Sequence, residues 1–152
     1  MAKSVLDVTK DVNKFIFEQL DKTTFFGLNR PTDRLELFNF ALSVGVNLVG
    51  KPTPLSTRES LVRTERLTDN EDLKSLYRSI YYDKYIKESN GEIKIDAIVD
   101  DDTILKAIEE YANSGFIKIK DWLDEKLDPE TLRLRLMTEM TRIIEKEFPP
   151  EQ

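Results

Sequence analysis

Residues 100–127 read DDDTILKAIEEYANSGFIKIKDWLDEKL, and the fold class turns on this stretch. Its apolar residues are Ile104, Leu105, Ile108, Tyr111, Ala112, Gly115, Phe116, Ile119, Trp122, Leu123 and Leu127. They recur every three or four positions, which lays one continuous stripe along an α-helix. Asp100-Asp101-Asp102-Thr103 stands before the stripe, where side-chain oxygens accept the free amides of a first turn and negative charge suits the helix dipole. Inside the helix, Asn113-Ser114-Gly115 costs stability, Gly alone about 1 kcal/mol relative to Ala. Close packing of another helix on Gly115 is the first expectation for that cost; a kink or a polar bond from Asn113 are the others.

Working outward, the same periodicity predicts more helices. Asp128-Pro129-Glu130 restarts the chain as cap, first-turn proline and first-turn acid, and opens a last helix over 128–148 that buries Leu132, Leu136, Met140, Ile143 and Ile144. Upstream, Thr68-Asp69-Asn70-Glu71 matches a capping box, and the helix after it buries Leu73, Leu76, Tyr77, Ile80, Tyr81 and Tyr85 until Ser89-Asn90-Gly91. Pro31 and Asp33 open another helix with Leu35, Phe38, Ala41, Leu42 and Val44 inward, weakening or stopping at Gly45. Val5, Val8, Val12, Phe15, Ile16 and Leu20 predict an N-terminal helix over 1–22 with Ser4 as its cap. Two segments stay open. Residues 60–66 read as a short strand or a docked loop after the proline-punctuated 50–56, and 93–98 as a short strand or a helix start. The expectation is a single, mainly α domain over 1–152, about five helices in a compact bundle with one or two short β pieces.

Composition narrows the chemistry. The 152 residues contain no His and no Cys, which removes serine triads, histidine-based zinc sites, thiolate nucleophiles and disulfides. No glycine-rich phosphate loop occurs, so no cofactor is expected. The net charge of −6 repels nucleic acid on average. No stretch approaches the ~18 apolar residues of a membrane span, and the first residues lack the apolar core of a signal peptide, so the expected setting is the cytoplasm, with no membrane.

Three constellations remain. Asp96, Asp100, Asp101 and Asp102 with Glu109 or Glu110 have the residue types of a magnesium site and would suit a small metal-dependent nuclease. The plainer reading is a cap, with Glu109 and Glu110 solvated, and no metal ligand is assigned. Between Phe26 and Thr68, six basic residues (Arg30, Arg34, Lys51, Arg58, Arg63 and Arg66) face four acids, a local +2 in a chain of −6. This region is a candidate surface for phosphates or a partner; otherwise its arginines pair with the chain's own acids. Tyr77, Tyr81 and Tyr85 share one helix face at i, i+4, i+8 and form the third candidate, a protein-docking stripe, against an ordinary core edge.

Glu109-Glu110-Tyr111-Ala112-Asn113-x-Gly115, followed by an amphipathic helix, resembles the end of a family of accessory proteins encoded beside bacterial DNA phosphorothioation (Dnd) systems. The helix over residues 33–45 and Gly50-x-x-x-Pro54-Leu55 resemble its front half, so the likeness spans about residues 23–125. The Tyr-rich stretch at about 77–91 departs from the family pattern. The resemblance implies a role in phosphorothioation-linked restriction of foreign DNA and supplies no catalytic residue. The functional expectation is therefore a non-catalytic accessory protein that binds a larger protein partner and, alone, contacts DNA weakly. The alternatives are the magnesium nuclease and a regulator or inhibitor from a mobile element. The sequence sets no oligomeric state.

Overall fold

The chain's first regular element is a strand, where helical spacing predicts a helix starting at residue 4. The computed structural model describes residues 5–20, 33–63, 70–88, 100–124 and scattered positions between 131 and 145. Val5–Val8 is β1: Leu6 and Val8 are buried while Val5 and Asp7 are half-buried, the alternation of a pleated segment with one face inward. The Thr9 side chain then accepts the Val12 amide at 3.1 Å and starts α1, Lys10–Phe15, which runs into a wider π-type turn over Ile16–Leu20. The N-terminal helix thus begins several residues later than its spacing predicts.

Glu59–Arg63 is β2 and settles the choice between strand and loop. It pairs antiparallel with β1, Val5 opposite Arg63, Leu6 opposite Val62, Asp7 opposite Ser60 and Val8 opposite Glu59. Leu61 has no place in that register. The resulting bulge lets Leu61 and Val62 both be buried, which is why the alternation in the sequence is weak.

Arg34–Val44 is α2, capped by the Asp33 carboxylate, which accepts the Leu35 amide at 2.8 Å. Gly45 does not end it. The helix widens into a π-type segment over Gly45–Val49 and stops at Gly50, whose φ of 75° is the left-handed conformation that glycine adopts without penalty.

Glu71–Glu88 is α3. Its first turn is capped by Asn70, whose side chain accepts the Leu73 amide at 3.0 Å; the cap predicted at Thr68 lies outside the described residues. Leu73 and Tyr77 are buried and Ile80 and Tyr81 half-buried, but Leu76, expected inward, is 51% exposed.

Asp101–Asp124 is α4, the mast of the fold. Ile104, Ile108, Tyr111, Ala112, Phe116, Ile119 and Trp122 are buried as the stripe predicts. It packs chiefly on α2 and its π-type extension, and also against α3, α1 and β1. Helical positions between 131 and 145 follow, with Leu134 and Met137 exposed. Residues 23–31, the segment 93–98, the restart at 128–130 and the inward residues predicted for the last helix lie outside the described residues. The fold is mainly α, five helices and one two-stranded antiparallel sheet among the described residues. No helix among those residues is long and apolar enough to cross a membrane.

Candidate functional site

The glycines of α2 and α4 meet where the two helices cross. A methyl group built on Gly115 would sit 1.7 Å from the Ala41 carbonyl oxygen and 2.9 Å from the Gly45 nitrogen, and one on Gly45 would sit 1.8 Å from the Tyr111 carbonyl oxygen. Backbone therefore touches backbone, and close packing accounts for the helix-weakening glycine in mid-α4.

The adjacent Asn113 and Ser114 have a second duty. Residues 51–58 form a strap laid along α4. Pro52 and Pro54 have no amide hydrogen and force extended backbone before them, so the strap builds no ladder of its own and its carbonyls need donors. Asn113 Nδ2 donates to the Thr53 carbonyl at 3.1 Å and to that of Pro54 at 3.4 Å. The Ser114 hydroxyl donates to the Lys51 carbonyl at 2.6 Å and stands 2.8 Å from the Thr53 hydroxyl. In return, the Thr53 amide donates to the Glu110 carbonyl at 3.0 Å. The polar residues that weaken α4 as a helix are its attachment to the strap.

One turn earlier, Glu109 is 1% exposed, although the sequence reading leaves it solvated. Its Oε2 accepts the backbone amide of Asp7 in β1, and its Oε1 lies 3.4 Å from Arg58 Nη1, which also reaches Asp7 Oδ2 at 3.5 Å. A buried carboxylate requires such partners, and this one ties β1, the strap and α4 together. The sequence signal is that Glu109 and Asn113 stand one turn apart within a stripe whose neighbours, Ile108 and Ala112, are apolar.

The predicted site residues separate on this frame. Arg58 belongs to the Glu109 clamp, as pairing with the chain's own acids predicts. Arg34 is half-buried in the first turn of α2, while Lys51 and Arg63 are exposed. Arg30 and Arg66 lie outside the described residues. Of the tyrosine stripe, Tyr77 is core and not a docking surface. It is 2% exposed, its ring meets Phe38 edge-on at 6.4 Å, and its hydroxyl donates to Asn39 Oδ1 at 2.5 Å. Tyr81 is half-buried against the core and edge-on to Tyr82 at 5.3 Å. Tyr85 is helical and its side chain is not among those described.

Burial pushes the Tyr77 phenol well above the ordinary tyrosine value of about 10. Because the folded value is the higher one, the stability that neutral Tyr77 contributes is complete below that ordinary value and is lost as pH rises beyond it. Alkaline titration followed by phenolate absorbance should show one tyrosine ionising only as the chain unfolds. Tyr77→Phe should cost about 1–2 kcal/mol in urea unfolding, because it strips Asn39 of its donor.

The aspartate run is a cap. Asp100 Oδ1 accepts the Thr103 amide at 2.8 Å and the Thr103 hydroxyl at 2.7 Å, and these bonds hold its carboxyl below the usual value. A depressed value means that the contribution is present at neutral pH and fades as pH falls through the carboxylate range. Asp100→Ala should therefore lower the thermal midpoint at pH 7, with the gap to the native chain closing in acid. Asp101 pairs with Arg78 at 3.2 Å. Asp96 lies outside the described residues, among which no three acidic, His or Cys side chains are grouped to hold a metal ion.

A cleft of about 140 Å³ opens between α3, α4 and the strap, lined by Pro52, Tyr81, Lys84, Ala107, Ile108, Glu110 and Tyr111. Lys84 Nζ donates to the Val46 carbonyl at 3.4 Å and sits 5.7 Å from the Tyr111 ring centre. No family model, no curated protein and no solved structure matches this chain.

Proposed function

We propose that this chain is a non-catalytic accessory subunit of a bacterial DNA phosphorothioation-linked restriction system, acting in the cytoplasm by binding a larger protein partner. One observation carries the reading. The separate segments on which the Dnd-associated resemblance rests pack on one another: Gly45 lies against Tyr111 and Gly115, and the Pro54 carbonyl accepts from Asn113. Segments of a shared scaffold would meet in this way. The acids of the rival nuclease reading also have other work, Asp100 as a cap and Glu109 in the interior clamp. The exposed Lys51 and Arg63 are the candidate contacts to a partner or to a phosphate.

The test is affinity purification of the tagged full chain from cells carrying its native gene neighbourhood. A nuclease, helicase or ATPase encoded nearby should co-purify, and the isolated chain should bind DNA weakly with steep salt dependence, or not at all. Failure to recover any neighbouring gene product, or divalent-metal-dependent DNA cleavage lost in Asp101→Asn, would overturn the reading.

A further inference from the structure

The cleft between α3 and α4 holds two opposite charges that do not pair. Lys84 spends one of its three donors on Val46, and among the described residues the Glu110 carboxylate forms no ion pair or hydrogen bond. Both are half-buried, on opposite helices, over a floor of Ala107 and Ile108. Half-desolvated charges left unpaired cost free energy, so the arrangement favours a ligand that serves both. A simple anion is drawn to Lys84 but repelled by Glu110, and a simple cation meets the reverse. A neutral apolar molecule leaves both charges without a partner. Only a molecule carrying both signs close together is attracted at both ends.

Size narrows the class. The cleft measures about 140 Å³. That lies below the ~300 Å³ at which pockets for larger organic ligands begin. We propose that this cleft binds a small free amino acid, its carboxylate on Lys84 and its ammonium on Glu110, with a short apolar side chain toward Ala107 and Ile108. The site goes beyond the accessory-subunit reading and does not depend on it.

Titration of the full chain with L-alanine, followed by calorimetry and by amide chemical shifts, tests this. Saturable binding should centre its shifts on residues 81–84 and 107–111. N-acetylalanine, which lacks the ammonium, and alaninamide, which lacks the carboxylate, should each bind at least tenfold more weakly. Glu110→Gln should weaken L-alanine at least tenfold while the far-ultraviolet circular dichroism stays native. Lys84→Met should do the same, and since Lys84 also holds the end of α2, Glu110→Gln remains decisive if that variant unfolds. No saturable shift at millimolar L-alanine overturns the proposal, as does alaninamide binding as tightly as alanine or an unaltered affinity in Glu110→Gln.

Discussion

Gly115→Ala should be among the most damaging conservative changes at the described residues, lowering stability by about 3 kcal/mol or more, enough to leave a marginal domain largely unfolded. The added methyl meets the Ala41 carbonyl oxygen at 1.7 Å, and that atom is helix backbone with no rotamer to change. Ordinary van der Waals contact for the added carbon begins at 3.4 Å, so relief requires α2 and α4 to separate by roughly 2 Å along their main contact. Every buried pair between them then loosens, and the strap, hung from the neighbouring Asn113 and Ser114, moves as well. Gly50→Ala is the control. Nothing lies within 4 Å of its added methyl, and only the left-handed φ of 75° resists, at about 1–2 kcal/mol. Urea unfolding followed by circular dichroism separates the two. Equal midpoints for the two variants would show that the crossing is looser than these distances state.

Glu109→Ala should cost about 2–4 kcal/mol, next in size. The loss has two parts: the Asp7 amide in β1 is left without its acceptor, and Arg58 loses its buried counter-charge. Glu109→Gln keeps an acceptor for the amide and removes only the charge, so about half the effect should remain. Arg58 is 40% exposed and 3.4 Å away, so water screens the pair, and Arg58→Ala should cost less than Glu109→Ala. The ordering Ala above Gln at position 109, with Arg58→Ala also below Glu109→Ala, is the measurable signature. A Glu109→Ala variant within 0.5 kcal/mol of the native chain, the range of ordinary surface changes, would show that the clamp contributes nothing.

The helices were largely legible in the sequence because their signals are local. The long stripe of α4, the Asp33 cap of α2 and the Asp100 cap each depend on residues within a turn or two. The start of α4 follows from these alone. The N-terminal strand was not legible. Val5, Val8 and Val12 are spaced three and four apart, so a four-residue strand followed by a helix mimics one continuous helix. Only the pairing with β2, more than 50 residues away, decides otherwise. The bulge at Leu61 hid β2 for a related reason, since it breaks the alternation that identifies strands. The burial of Glu109 has no local signal of its own, because an acidic residue is normally solvated and its partners come from β1 and the strap. The spacing of the tyrosine stripe sets a shared face, but a periodicity does not say whether that face looks outward. Asn39 and Phe38, on another helix, turn Tyr77 inward. The cleft charges, Lys84 and Glu110, are single residues on separate helices, and nothing local marks them.

The attachment of the strap to α4 also fixes an order of assembly. Asp7 is secured by a residue 102 positions later, and the strap by residues about 60 positions later. During synthesis at about 5–20 residues per second, β1, α2 and β2 all emerge before the helix that fastens them. Until residue 115 is available, the small-residue face of α2 and the proline strap have nothing to close upon. The contacts of β1, α2 and the strap with α4 therefore form only after that helix has been made.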